Sequence, residues 1–273
     1  MRDNVACIWS AGTVVIVLAI VLLGASPRGR AADPEALWKI VHDQCVPDQQ
    51  QNGNPAPCAL VDQNKGDAKG YAILKDIVGA TQYLLIPTAR VPGIESESLL
   101  APDAPNYFAD AWRERGFTEQ AAGYALPRQA ISLAINSAFG RSQNQLHIHI
   151  DCIRTDVAAA LQHQLGAIGD SWAPLPEPLA GHPYQGIRVL GDALDGANPF
   201  ALLADGVAGA REAMGEQTLV VAGAVFADSR PGFIILTDRI NPAMGDKAAG
   251  EELQDHGCAI AQTLHTPAVI RSN

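Results

Sequence analysis

"AINSAFGRSQNQLHIHIDC", residues 134–152, joins an apolar run, a polar loop and a strict His-Ile-His-Ile alternation. Side chains alternate along a strand, so Gln145, His147 and His149 share one face while Leu146, Ile148 and Ile150 share the other. The apolar face belongs to a core. The two imidazoles then project together towards whatever the loop "SAFGRSQN" (137–144) surrounds. "AISLAIN" (130–136) has the same strand character, and with "QLHIHIDCI" (145–153) it predicts a strand pair closed by that loop.

Three readings fit two histidines on one strand face. They are solvated on an exposed face, or they ligate a metal, or they perform phosphoryl chemistry. H-x-H on a strand is a zinc-ligand spacing, but it needs a third ligand, for which His182 and Asp151 are the candidates. A neutral imidazole is also a competent nucleophile near neutral pH, and a neighbouring imidazole can stabilise charge at phosphorus. The loop favours this last reading. Gly140 permits close backbone approach, Ser137, Ser142, Gln143 and Asn144 are neutral donors, and Arg141 is a cationic one. Positioning and charge stabilisation are what phosphoryl transfer requires. Asn136, at the strand end, serves either phosphate or ribose, or shapes the turn.

Outward from this stretch, "DPEALWKIVHDQC" (33–45) reads as an amphipathic helix with Asp33 as N-cap and Pro34 in its first turn, followed by a loop. "YAILKD" (71–76) and "QYLLIPT" (82–88) form a predicted hairpin. "APNYFADAWRERGFTEQAA" (104–122) is a helix packing on that sheet through Phe108 and Trp112. Beyond Val157 come a short helix, a Pro-rich passage and a helix around "PFALLADGVAGAREAM". Strands at 218–226 and 232–238 follow, then a helix in "AAGEELQDHGCAIAQTL". The expected fold class is α+β, an antiparallel sheet with packed helices, its C-terminal half extending that sheet or forming a second layer. His42, His163, His182, His256 and His265 are isolated and read as structural or solvated; Lys75 and Asp76 end a strand, either near a nucleoside or, the preferred reading, in a solvent-facing turn.

The chain has 273 residues, 48% hydrophobic and 18% charged, which excludes a disordered chain. A formal charge of -10 excludes a general nucleic-acid binder, since no basic stripe meets the phosphates. "IWSAGTVVIVLAIVLLGA" (8–25) spans about 27 Å as a helix and reads as an uncleaved signal anchor over residues 1–30, ahead of one domain at 33–273. A cleaved signal peptide is the alternative, with "GRAAD" a poor cleavage site. Arg2 before the span and Arg28 and Arg30 after it argue weakly against export. The cysteines argue for it. Cys45 with Cys58 and Cys152 with Cys258 form an even set without a C-x-x-C pair, expected as two disulfides, with zinc as the rival.

"GRSQNQLHIHI" resembles the histidine-triad motif, in which Gly-x-Ser precedes a strand of three alternating histidines. The resemblance puts Gly140 and Ser142 on Gly-x-Ser, His147 on the nucleophile and His149 on the last histidine; Gln145 stands where the first histidine would be. "CVPDQQQNGNPAPCA", "QYLLIPTARVPGIES" and "ELQDHGC", behind an apolar N-terminal span, widen it to the bacterial CDP-diacylglycerol pyrophosphatases. What the resemblance implies is a histidine-triad-like fold and hydrolysis of CDP-diacylglycerol to CMP and phosphatidate through a cytidylyl group on His147. His149 would hold the phosphate oxygens and Ser142 the bridging or leaving oxygen, while the carbonyl of Gln145 orients His147. The implied scheme requires no cofactor or metal. Its partners are CDP-diacylglycerol and the bilayer of the cell inner membrane, with the domain on the extracytoplasmic side. A broader nucleotidyl transferase or nucleotide pyrophosphatase is the alternative among enzymes. A membrane-anchored metal- or nucleotide-binding module is the alternative outside them.

Overall fold

A computed structural model describes residues 33–265; the expected anchor over residues 1–30 lies outside the described residues. Among the described residues no helix is long and apolar enough to cross a membrane. Nine strands form one antiparallel sheet: β1 (Leu60–Asp62), β2 (Tyr71–Lys75), β3 (Tyr83–Pro87), β4 (Ile131–Ile135), β5 (Ile148–Cys152), β6 (Ala173–Pro174), β7 (Gln185–Leu190), β8 (Leu219–Val225) and β9 (Pro231–Thr237). Their spatial order is β1-β2-β3-β5-β4-β8-β9-β7-β6. The C-terminal strands therefore extend the first sheet instead of building a second layer. β6 and β7 were not foreseen, because Pro and Gly interrupt the apolar pattern there.

Residues paired across strands point to the same side, so register sorts the sheet into two faces. One face carries Ile73, Leu85, Leu133, Ile148 and Ile150 into the larger core, where Phe108 and Trp112 pack on it. The other face carries Leu74, Leu84, Ala134 and His149, with Leu84 and Ala134 flanking His149 directly on β3 and β4. A one-residue slip of β5 would send both imidazoles into the aliphatic core.

Two segments cover this second face. Over β1–β3 lies α1 (Ala36–Ile40), continued by a π-helical turn (Val41–Cys45) and α2 (Val46–Asn52), whose Val41 and Cys45 are fully buried against Val61, Ala72, Leu74, Leu84 and Ile86. This helix does not stop at Cys45 as expected. It runs on to Asn52 because Pro47 falls in the first turn after the π-helical turn, where its missing N–H is tolerated. Gly53 ends it at φ 64°.

Over β4 and β5 lies the C-terminal segment, through bridges from Asn136 to Ala249 and from Ile153 to Gln254. The single helix expected at 248–264 is instead a 3₁₀ turn (Gly250–Leu253) and a short α-helix (Ala259–His265). Asp255 separates them by accepting from the amides of Gly257 and Ala259, at 3.0 and 2.7 Å. The helix expected at 104–122 is likewise two, α3 (Tyr107–Arg113) and α4 (Gly116–Ala122), with Asn106 at the cap of the first, accepting from the Ala109 amide at 3.1 Å.

Cys45 is bonded to Cys58 and Cys152 to Cys258, so the zinc reading of the cysteines is replaced by two disulfides. Such pairs are the mark of a domain kept outside the reducing cytoplasm. The chain-entropy model gives about 3 kcal/mol for the shorter loop and nearly 5 kcal/mol for the longer. Replacing Cys152 and Cys258 together by Ser is therefore expected to lower the unfolding free energy by more than the Cys45/Cys58 double replacement. Urea titration at constant m-value measures the difference, and the reverse order would refute it.

Candidate active site

A cleft of about 410 Å³ opens between α1 and the C-terminal segment, on the face that carries the two histidines. His147 and His149 line it, 8% and 4% exposed, with ring centroids 4.9 Å apart and planes at 66°. β5 begins at Ile148, so His147 stands at the strand entrance rather than within it as expected. Its Nδ1–H donates to the carbonyl of Gln145 at 2.7 Å. A carbonyl only accepts, so the proton lies on Nδ1 and Nε2 keeps a free lone pair.

His149 has the opposite tautomer. The Gln82 side-chain amide donates to Glu251 Oε1 at 3.1 Å and to Nδ1 of His149. A carboxylate accepts only, which fixes the orientation of the amide and leaves His149 Nδ1 as an acceptor. The proton of His149 is therefore on Nε2, a buried donor without a partner among the described residues. Burial, reinforced by His147 alongside, pushes His149 down to about 3, and burial also lowers His147 against the pull of the Gln145 carbonyl. Both rings are neutral at neutral pH.

Behind His149 the charges are paired. Burial raises the affinity of Glu251 for a proton, but the bonds from His256, Gln82 and Asn136 and the adjacent His149 hold its carboxyl far below the usual range. His256 donates through Nδ1 to Asp151 at 2.8 Å and stands 3.3 Å from Glu251 through Nε2, and these two bonds raise it to about 10. It is a fixed cation between two carboxylates. Asp151 is fully buried and also accepts from Thr81 Oγ1 at 2.6 Å. His256 is therefore not the isolated residue expected from sequence.

Of the residues expected to bind phosphate or substrate, Asn136, Gly140, Ser142 and Gln143 line the cleft with the two histidines. The others serve the scaffold. Ser137 Oγ donates to the Lys247 carbonyl at 2.5 Å and accepts from the amides of Phe139 and Gly140, which closes the loop upon itself. Arg141 makes a two-pronged ion pair with Glu95 at 2.6 Å on each arm and does not line the cleft. Asn144 is exposed, and its amide donates to the Pro34 carbonyl at 2.7 Å. Gln145 is wholly buried; its side chain bonds Pro87, Ala89 and Val91, so only its carbonyl reaches the site. Lys75 and Asp76, expected in a solvent-facing turn, line the cleft.

Gln82, Glu251 and His256 were given no role from sequence. Gln82 and His256 lie within segments that carried the family resemblance, but nothing local marks them as site residues. Neither expected third metal ligand joins His147 and His149. Asp151 is held by His256, and His182 lies with Asp238 and Asp246, ligand atoms within 4.8 Å, outside the cleft lining. There His182 bonds Glu252 at 2.7 Å, and burial with the adjacent Asp246 raises Asp238 to about 7.

Two expectations follow from these protonation states. Nitrogen chemical shifts of the full-length protein at neutral pH will assign the proton to Nδ1 in His147 and to Nε2 in His149, and identical tautomers would refute the arrangement. His256 has a raised folded value, so its stabilisation is complete below its unfolded value of about 6.5 and is lost as pH rises through about 10. Thermal stability will fall across that window in the wild type, and His256→Gln will flatten the decline; an unchanged slope in the variant would refute the assignment.

The sequence model of the CDP-diacylglycerol pyrophosphatase family matches residues 32–262, which takes in the whole sheet, both walls of the cleft and both disulfides. With that span matched, the chain belongs to the CDP-diacylglycerol pyrophosphatase family, hydrolases that convert CDP-diacylglycerol into CMP and phosphatidate.

Proposed function

We propose that this hydrolysis runs in two steps through a cytidylyl group carried on Nε2 of His147. The observation that carries the reading is the pair of opposite tautomers, an Nε2 lone pair on His147 beside an Nε2–H on His149 in one cleft. In the first step the lone pair attacks the phosphorus attached to cytidine; an N–P bond forms, the anhydride P–O bond breaks, and phosphatidate leaves. The leaving group is a phosphate, which departs with little help from a proton. In the second step water attacks the same phosphorus, the N–P bond breaks, and CMP leaves with His147 restored.

His149 acts as a neutral donor towards the phosphate oxygens, where a fixed dipole in a buried site is worth far more than in water. Ser142 and Gly140 approach from the loop side, with Ser142 on the bridging or leaving oxygen and Asn136 at the rim beside Glu251. Gln82 and Glu251 keep His149 in its donor form. The scheme draws on the sequence resemblance to histidine-triad proteins, and Gln145 fits it because the part used at that position is a carbonyl. The apolar stretch 8–25 would tether the domain 33–273 at the cell inner membrane, on the extracytoplasmic side to which the disulfides point.

Intact mass after brief mixing of the full-length protein with CDP-diacylglycerol is expected to show one cytidylyl adduct. His147→Ala will abolish both adduct and CMP release, whereas His149→Ala will form the adduct roughly 10²–10³-fold more slowly. Turnover by His147→Ala, or product from a chase that never passes through an adduct, would sink the two-step scheme. The acid limb of kcat/KM will lie below the ordinary histidine value of about 6.5, because burial lowers His147 and only its neutral form attacks.

A further inference from the structure

The two sides of the cleft differ in chemistry. The β5 side and the loop bring His147, His149, Asn136 and Ser142, while α1, β2 and β3 bring the aliphatic Leu37, Ile40, Leu74 and Leu84, with Lys75 and Asp76 at the end of β2. The aliphatic side continues outward to the turn between β2 and β3, where Ile77 and Val78 also line the cleft. Ile77 is 100% exposed and Val78 52%, and Phe139, which precedes the cleft-lining Gly140, is 59% exposed. Of the six large hydrophobic side chains exposed among the described residues, two, Ile77 and Val78, line this cleft, and a third, Phe139, is next in the chain to its Gly140.

The turn that presents Ile77 is braced. Lys75 Nζ donates to the carbonyls of Asp76 and Gly79 at 2.9 and 3.0 Å, and the Val78 amide donates to Asp76 Oδ1 at 2.9 Å. The Ala80 amide donates to the carbonyl of His256 at 2.8 Å. Gly79 is required there, at φ 71° and with a Cβ position only 2.3 Å from Cβ of His256. An isoleucine wholly in water on a turn fixed this way lacks a folding role. Apolar side chains grouped at a site mouth mark a surface that meets an apolar ligand.

We infer that Ile77 and Val78, with the exposed Phe139 beside Gly140, seat the acyl chains of the lipid half of the substrate. The family's substrate supplies the occupant. Its leaving group joins the reacting anhydride to two ester-linked chains through a single glycerol, so the chains emerge from the cleft next to the broken bond. The polar side takes the phosphates, and the chains pass over the apolar lip into the bilayer or micelle they came from. This inference rests on His147 as the nucleophile, because that choice makes phosphatidate the group that departs over the rim.

The test uses full-length protein in mixed micelles of fixed composition, with dioleoyl and dibutyryl CDP-diacylglycerol as substrates. The Ile77→Asn/Val78→Asn double variant is expected to lower the ratio of kcat/KM for the long-chain over the short-chain substrate about tenfold, chiefly through KM. Phe139→Asn is expected to move the ratio in the same direction by less. An unchanged ratio would overturn the inference, whether because both substrates lose equally, as they would if the lip served cytidine or phosphate, or because neither loses. His147→Ala is run with both substrates. A cytidylyl adduct on that variant defeats the nucleophile reading whatever the ratio, whereas its absence with an unchanged ratio defeats the lip alone.

Discussion

Glu251 is an ionised carboxylate in a largely buried position, and the site is organised around keeping it so. Burying a carboxylate without partners costs several kcal/mol. Here His256, Gln82 and Asn136 converge on it, and the Glu251 amide donates back to Asn136 Oδ1 at 3.1 Å. The charge orients the Gln82 amide, the amide sets the proton of His149, and His149 then faces the cleft as a donor. A chemical property of one ring is determined by a negative charge it does not directly bond. The countercharge, His256, is in turn held by Asp151, which lies on β5 two residues beyond His149. The chain of contacts returns to the strand from which it started.

That circuit closes because β5 lies inside the sheet, between β3 and β4. Gln82 precedes β3 and Asn136 follows β4, so the strands on either side of β5 each end beside it with a polar side chain. Strand pairing sets their spacing to within a fraction of an ångström, a precision that loops alone rarely provide. The C-terminal segment then adds Glu251 and His256 from outside the sheet, held through Gln254, whose amide donates to the carbonyls of Ser132 and His149.

Part of this was legible from sequence. The period-two alternation of His147 and His149 against Ile148 and Ile150 is a local signal, and so is a Gly- and Ser-bearing loop before it. The hairpin of β2 and β3 and the pairing of β4 with β5 carry equally local signals. What could not be read depends on distant partners. Arg141 looked like a phosphate ligand because nothing nearby shows that Glu95 takes its charge. His256 looked idle because Asp151, its partner, is 105 residues earlier. The bond from His147 to the Gln145 carbonyl was expected, but not that the Gln145 side chain would be taken up by Pro87, Ala89 and Val91. The helix that forms the apolar side ran past its expected end because Pro47 breaks helices in most positions but not in a first turn.

Each side of the cleft is fastened by one of the disulfides. Cys45 belongs to the helical segment that continues α1 and is pinned to Cys58, while Cys258 follows His256 by two residues and is pinned to the end of β5. The strands between them are joined by backbone hydrogen bonds that owe nothing to sulfur. A reduced chain thus keeps the means to form its sheet but lacks the clasps that hold the two flanks over it. Oxidation clasps both flanks of the cleft, so the redox state of the compartment bears on the shape of the cleft as well as on the stability of the fold.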